Sequence, residues 1–238
     1  MTFDPFAPDS ARQLVEAEQM DAPGVDERRL EKALRFIRRI NFLLAYNHAL
    51  GCTFHDLIRD LPKDSPVRVL DVATGSGDAY GTVSCFGGLA RHEVEFVGLD
   101  LHARTLATAR RQTRGEVALV QGNALELPFE DGAFDIAITS MFLHHLPTES
   151  AIDALHELGR VARHGIIAAD LIRDRRAYRW ICLMTLLADR MVRHDARVSV
   201  RQAFTIEEAD GLRVAAGLDY ARIKRYPNFR FVMSGRKP

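Results

Sequence analysis

The chain has 238 residues, enough for one compact domain with an additional subdomain, and 47 % of them are hydrophobic. Lys plus Arg equals Asp plus Glu at 32 each, so the zero formal charge gives no reason to expect generalised binding to nucleic acid or anionic lipid. The three cysteines are far apart in the sequence, which predicts no disulfide framework. The first residues are acidic and contain prolines, unlike a signal peptide, and no long apolar run follows. We therefore predict no membrane span and a cytoplasmic location.

The first part of the chain is predicted to be helical. Ser10 to Gln13 has the form of a capping box, and residues 26–50 carry apolar residues at the spacing of an amphipathic helix. The proline-rich stretch 60–66 reads as a linker. We therefore predict an N-terminal helical cover over residues 1–64, followed by the main domain over 65–238.

From Val67 onwards, short apolar runs alternate with helical stretches. This rhythm predicts parallel strands joined by crossover helices, which build a doubly wound sheet. The predicted strands are residues 67–72, 94–100, 117–122, 134–140 and 165–171.

The last third of the chain departs from that rhythm. Residues 172–203 read as an insertion, with a helix rich in arginine and large apolar residues and then a basic loop. Thr205 to Glu208 forms a second capping box, which predicts a helix ending near Gly217. The tail reads as two strands around Pro227-Asn228, a terminal antiparallel hairpin.

The stretch VLDVATGSGDAYG opens a glycine loop directly after the first strand. Gly75 and Gly77 allow the backbone to approach a ligand closely. Tyr80 stands where a pyrophosphate fingerprint needs a small residue, which counts against a dehydrogenase, and no Gly-Lys-Ser/Thr follows. Asp100, at the end of the second strand, can accept hydrogen bonds from ribose hydroxyls or can cap the helix at Ala103.

Together these segments resemble the class I S-adenosylmethionine-dependent methyltransferases over about residues 66–170. VLDVATGSGD looks like the family's first motif, VGLDLHARTL its second, and QGNALELPFEDGAFDIAITSMFLHHL its third and fourth. The run GNALELPFEDGAFD is similar to methyltransferases of ubiquinone and menaquinone biosynthesis and related small-molecule enzymes. The resemblance implies an α/β fold, a Rossmann-like doubly wound seven-stranded sheet with an antiparallel terminal strand. It also implies that the N-terminal helices and the 172–203 insertion cover the site.

The same resemblance implies S-adenosyl-L-methionine as cofactor and S-adenosyl-L-homocysteine as product. The first loop would surround the methionine moiety, with Asp71 as the acidic end of the network around its amino group. The second and third strand ends would hold ribose and adenine, and the fourth would lie near the sulfonium. Ala73 and Asn123 depart from the usual Gly and Asp, but both are expected to preserve binding. The implied cofactor residues are Asp71, Ala73, Gly75, Gly77, Asp100, Leu101, Asn123, Ala124, Ser140 and Met141.

Methyl transfer needs a base only if the acceptor must lose a proton, as a phenol would near neutral pH. The sequence MFLHHLP places His144 and His145 just beyond the fourth strand, where one can act as base or merely pack against the next helix. His194 with Asp195 is a second candidate pair, the alternative being a solvated polar loop. Asp170 ends the fifth strand and can orient an acceptor or cap the following helix.

These features predict methylation of a small, largely apolar acceptor, most simply at the oxygen of a phenol, quinol or polyketide-type hydroxyl. RHDARVSVRQAFTIEE also looks like bacterial methyltransferases associated with phenolic polyketides. Methylation at an activated aromatic carbon remains open, as do an inactive cofactor-binding partner protein and an RNA or protein methyltransferase. No metal is expected, because the fourth strand ends in Thr139, Ser140 and Met141 rather than in carboxylates. A monomer or homodimer without nucleic acid is expected.

Overall fold

The computed structural model describes residues 18, 19, 36 and 46–238, without the side chain of Tyr46. The capping box at Ser10 and most of the amphipathic segment 26–50 lie outside the described residues. The strands are β1 Val67–Val72, β2 Val94–Asp100, β3 Ala118–Gln121, β4 Phe134–Ser140, β5 Ala162–Leu171, β6 Arg222–Tyr226 and β7 Arg230–Arg236. The described helices are α1 Tyr46–Ile58, α2 Asp78–Leu89, α3 Ala103–Gln112, α4 Thr148–Val161, α5 Arg175–Met184, α6 Arg190–Gln202 and α7 Ile206–Ala215.

The seven strands form one sheet in the order β3-β2-β1-β4-β5-β7-β6. Strands β1 to β5 run parallel to one another, whereas β7 runs antiparallel to both β5 and β6. The order of the strands reverses between β1 and β4, which is the point where open α/β sheets bind ligands. The predicted doubly wound sheet with an antiparallel terminal strand is confirmed.

Two hydrophobic cores form because neighbouring residues of a strand point to opposite faces of the sheet. Leu70 of β1 packs in the core on the face of α4 and α7, in the same cluster as Leu155. Its neighbour Val69 packs in the core on the face of α1 and α2, in the same cluster as Phe54. Burial on both faces explains why the central strands read as nearly continuous apolar runs.

The predicted basic loop at the end of the 172–203 insertion is wrong, because that stretch forms α6. Both helices of the insertion begin at an aspartate: Asp174 accepts a hydrogen bond from the Arg176 N–H at 2.6 Å, and Asp189 from the Met191 N–H at 2.9 Å. The arginines of α6 alternate with buried apolar residues, so the charged appearance belonged to one side of an amphipathic helix. The buried apolar residues of α6 are Met191, Val192, Val198 and Val200.

The predicted capping box and terminal hairpin are confirmed. The Glu208 N–H donates to Thr205 Oγ1 at 3.1 Å, and the Thr205 N–H donates to Glu208 Oε2 at 2.8 Å. Strands β6 and β7 pair across a turn in which Asn228 and Phe229 have φ values of 63° and 57°. Among the described helices, none has the length and apolar character needed to cross a bilayer.

Candidate active site

A cavity of about 250 Å³ lies at the carboxyl ends of β1, β4 and β5. Its floor is formed by the loop after β1 and by the segment after β4. One of its other walls is formed by Glu18, Phe36 and α1, and another by the paired helices α5 and α6. The cavity brings together six of the residues predicted from sequence, which are Ala73, Gly75, Ser140, Met141, His144 and His145.

The loop after β1 turns through left-handed backbone. Ala73, Gly75 and Gly77 have φ values of 58°, 57° and 77°. A side chain at Gly77 would also collide with Thr113, whose Cγ2 would lie 2.8 Å from an added Cβ. Gly77 therefore allows the start of α2 to approach α3 closely, and it does not line the cavity. Met141, on the opposite side of the cavity, also adopts left-handed backbone at φ 56°.

Asp71 lies beneath this loop and is 1 % exposed. Its Oδ2 accepts a hydrogen bond from Thr74 Oγ1 at 2.6 Å, and its Oδ1 has no hydrogen-bond partner among the described residues. Burial, together with the nearby charges of Asp100 and Asp78, raises the pKa of the carboxyl to about 7, although the hydrogen bond from Thr74 acts in the opposite direction. Asp71 is not part of the cavity lining, so its role toward a cofactor amino group stays a prediction.

Asp100 connects β2 to the glycine loop. Its Oδ2 accepts from the Gly75 N–H at 3.1 Å and its Oδ1 from the His102 N–H at 3.0 Å. Burial raises the pKa of Asp100, although these backbone hydrogen bonds act in the opposite direction. The carboxylate thus supports the start of α3, as one of the two sequence interpretations expected, and it also fixes the loop.

The other predicted cofactor residues lie outside the cavity lining, at the neighbouring strand ends. Leu101 is 58 % exposed next to Asp100, whereas Ala124 is buried. The side-chain oxygen of Asn123 accepts a hydrogen bond from the Leu125 N–H at 3.0 Å. That oxygen retains a second lone pair, so the predicted contact of Asn123 with an adenine amine stays a prediction.

His144 and Asp170 form a buried pair at the wall of the cavity. His144 Nδ1 lies 2.6 Å from Asp170 Oδ1, and the His144 N–H donates to Asp170 Oδ2 at 3.0 Å. Burial alone would raise the pKa of Asp170, but the positive charge and hydrogen bonding of His144 bring it below its usual value. The carboxylate is therefore ionised and accepts from Nδ1–H, so that Nε2 is the ring nitrogen of His144 directed away from Asp170.

Sequence analysis missed Glu18, which lies against the other side of His144. Its Oε1 is 3.8 Å from His144 Nε2 and also accepts a hydrogen bond from Ser199 Oγ. The next residue, Gln19, donates its N–H to Asp195 Oδ1 at 2.8 Å. These contacts attach residues 18 and 19 to α6, and both segments border the cavity.

Glu18, His144 and His145 offer ligand atoms within 4.8 Å of one another, a spacing at which they could hold a metal ion. The His144 and His145 rings lie 4.3 Å apart between centroids. Imidazole and carboxylate groups suit zinc and iron, with Asp170 orienting one imidazole from behind. The prediction of no metal considered only the end of β4 and stays a prediction.

The proposed pairing of His194 with Asp195 needs correction. His194 Nδ1 does lie 3.0 Å from Asp195 Oδ1, but His194 lines a separate groove on the outer side of α6. Asp195 is 2 % exposed and lines the cavity instead. His194 therefore does not reach the cavity.

Comparison with known proteins agrees with this geometry. Residues 69–165 match the family described as methyltransferase domain. Demethylmenaquinone methyltransferase of Staphylococcus saprophyticus is 32 % identical over 111 residues, 46 % of each chain. The Thermus thermophilus enzyme of the same name is 38 % identical over 100 residues, 40 % of this chain and 44 % of the relative. The match thus spans less than half the length of these curated relatives.

Solved structures show the same fold over most of the chain. The plantazolicin methyltransferase BpumL in complex with SAH aligns over 90 % of this chain and 91 % of its own, with a TM-score of 0.67 and 12 % identity. Magnesium protoporphyrin IX methyltransferase from Synechocystis PCC 6803, with bound SAH, aligns over 92 % and 91 %, with a TM-score of 0.56 and 13 % identity. This chain has the class I methyltransferase fold.

The class I fold confirms the resemblance stated from the sequence motifs. Residues 69–165 contain most of β1 and all of β2, β3 and β4, so the matched region includes the glycine loop, Asp100 and the two histidines. Asp170, α5 and α6 lie beyond the matched region.

Proposed function

We propose that the protein is a methyltransferase that uses S-adenosylmethionine to methylate a small, largely apolar acceptor with an ionisable hydroxyl, such as a phenol or quinol. One observation carries the proposal: the His144–Asp170 pair opens onto a cavity bounded by the glycine loop. The relatives' name, demethylmenaquinone methyltransferase, supports an aromatic acceptor. Methylation at the oxygen is proposed, with methylation at an activated ring carbon as the second candidate, since both begin by ionising the hydroxyl.

The residues around the loop fit such a cofactor. The left-handed loop leaves open space beside Gly75, where an added Cβ would meet nothing within 4 Å. The exposed side chain of Leu101 offers an apolar surface for a flat ring, next to the carboxylate of Asp100. When bound, the cofactor supplies an electrophilic methyl group on a sulfonium. The chain binds and orients it through the loop, Asp100 and Leu101.

Replacing Asp100 by alanine is expected to weaken cofactor binding at least tenfold, because hydrogen bonds to a charged group contribute about 1.5–3 kcal/mol. Titration calorimetry with S-adenosylhomocysteine measures this directly. Asp100→Asn keeps one acceptor oxygen for the Gly75 N–H, so it controls for an effect that arises only because the glycine loop changes conformation. Unchanged affinity in both variants would contradict the assignment of Asp100 to the ribose.

His144 is the proposed base. Asp170 accepts from Nδ1 and thereby keeps the Nε2 lone pair directed away from itself, where Nε2 can take the hydroxyl proton of an acceptor. The carboxylates of Asp170 and Glu18 on either side of the ring then stabilise the positive charge it acquires. Asp170 is accordingly a positioning residue. Closure of the cavity orients the acceptor and excludes water.

We also propose that the N-terminal segment, residues 1–64, and the 172–203 insertion form the cover over the acceptor. Glu18, Phe36, Asn47 and Leu50 line the cavity from the first segment, and Ile181 and Thr185 line it from the second. An enclosed apolar cavity of this kind suits a small molecule and disfavours RNA or protein substrates.

The function is tested by incubating the protein with isotopically labelled S-adenosylmethionine and a panel of phenols and quinols, followed by mass spectrometry. The expected result is a labelled product, whose fragmentation separates oxygen from carbon methylation. Calorimetric binding of cofactor without any labelled product from the panel or from cell extract would favour the inactive cofactor-binding protein instead.

A further inference from the structure

The outer side of α5 and of the turn after it is apolar and exposed. Leu187 is 98 % exposed and Leu183 64 %, with Trp180 and Leu186 exposed beside them. Trp180 and Leu183 are three residues apart within α5, so they share one side, and Leu187 follows in the turn after the helix. Clustered exposed apolar side chains of this size mark an interaction surface.

Arginines border this apolar patch. Residues 175–202 contain seven arginines and two aspartates. Asp189 caps α6 and Asp195 is buried at the cavity, whereas Arg190 is exposed. A groove of about 440 Å³ between α5 and α6 concentrates the positive charge, and it is lined by Tyr178, Arg190, Arg193, His194, Arg197 and Arg201. The zero net charge of the whole chain conceals this local excess.

We propose that this basic-apolar surface, the outer side of residues 176–201, docks the protein on an anionic lipid bilayer. The leucines and Trp180 would enter the region between headgroups and acyl chains, and the arginines would contact lipid phosphates. Tryptophan and arginine suit that boundary because each combines an apolar body with a polar tip. A second copy of this chain fits less well, because two such surfaces in contact would bring like charges together.

The position of α5 gives this docking a consequence for the cavity. Ile181 and Thr185, on the opposite side of α5 and the turn after it, line the cavity. The membrane surface and the cavity would thus be separated by about one helix diameter, roughly 10 Å. A lipophilic acceptor could pass between them without crossing bulk water. The docking itself requires no methyl transfer, so it can fail or succeed independently of the proposed function.

Trp180 provides the measurement, because it is the single tryptophan of the chain. The probe is vesicles of phosphatidylcholine containing phosphatidylserine, compared with vesicles of phosphatidylcholine alone. The expected result is a blue shift of Trp180 fluorescence and co-sedimentation with the anionic vesicles, both weakened by high salt. Absence of both signals with anionic vesicles would overturn the proposal, as would equal binding to the neutral vesicles.

Variants test whether this surface is responsible. Arg190→Gln with Arg193→Gln should lower the affinity for anionic vesicles by about fivefold for each arginine. Leu183→Gln with Leu187→Gln should abolish the fluorescence shift.

The matched control removes one exposed leucine and one exposed arginine elsewhere, through Leu89→Gln with Arg110→Gln, and should bind as the wild type does. Circular dichroism verifies that each variant is folded. Wild-type binding by both surface variants, or a dimer that buries Trp180 without vesicles, would refute the docking.

Discussion

Alanine at position 144 is expected to lower kcat for a phenolic acceptor at least about a hundredfold while leaving the affinity for S-adenosylhomocysteine unchanged, since general bases contribute 10²–10⁴-fold. His144 faces the cavity, and it contacts Asp170, Glu18 and His145. Losing it should therefore slow the reaction without disturbing cofactor binding. Steady-state kinetics and calorimetry on the same preparation separate the two effects.

Comparing acceptors of different acidity tests the role of His144 as base more directly than the loss of rate alone. A nitro-substituted phenol that is already ionised at the assay pH needs no base, so the defect of His144→Ala should largely disappear with it. Asp170→Asn should show the same selective defect, because an amide no longer enforces the Nδ1–H tautomer. His194→Ala, which alters a histidine outside the cavity, is the matched control and should retain the wild-type rate. Equal defects with both acceptors would remove His144 from the role of base.

The kinetic assay with phenolic acceptors also decides whether His144 acts as a base without a metal or belongs to a metal site. Dialysis of the wild type against a chelator should leave the rate unchanged if His144 acts alone. Loss of activity that zinc or ferrous iron restores would instead assign Glu18, His144 and His145 to a metal ion.

The central sheet could be predicted almost residue by residue because its signal is local. Each strand from β1 to β5 is a short apolar run, all but β3 are followed by a helix, and β4 begins and ends where its sequence pattern does. The capping box at Thr205 is equally local. Helix α6 could not be recognised in the same way, because its arginines are as numerous as the valines and methionine that pack inward and are interspersed with them.

The pairing of His144 with Asp170 could not be predicted, because it depends on the order of the strands in the sheet. Asp170 ends β5 and His144 follows β4, and the two strands are neighbours with Ser140 opposite Ala169. Sequence reasoning applied the carboxylate–imidazole principle to His194 and Asp195, which do lie 3.0 Å apart, although His194 lines a groove outside the cavity. The usable signal was the expected adjacency of strand ends at one edge of the sheet. Glu18 carried no such signal, because its contact with His144 is set by tertiary packing.

Replacing Asp71 by asparagine is expected to stabilise the protein at pH 8 by up to about 4 kcal/mol, with the gain vanishing near pH 4. The carboxyl has a pKa of about 7 in the folded protein, against 3.8 when unperturbed. Between these values the folded state binds more protons than the unfolded state. The contribution of Asp71 to stability is therefore fully present below pH 3.8 and is lost as the pH rises through 7.

Urea unfolding followed by circular dichroism at several pH values measures this difference. Asparagine keeps an acceptor for Thr74 Oγ1 but carries no charge, so only the ionisation penalty changes. Asp64→Asn, at an exposed aspartate, is the matched control for removing one negative charge. A stability difference independent of pH would show that Asp71 is ionised throughout, with a compensating partner.

The same substitution connects stability to binding. Asp71 keeps an ionisable carboxyl beneath the loop although Asp78 and Asp100 both disfavour its charged form. A cation bound at the loop would reverse that balance, and S-adenosylmethionine carries both a sulfonium and an ammonium group. Asp71→Asn should therefore bind the cofactor more weakly even as it unfolds less readily, which is the trade-off expected where a site retains an unfavourable charge for its ligand. A variant that is more stable and still binds the cofactor as tightly as the wild type would show that the Asp71 carboxylate does not contribute to cofactor binding.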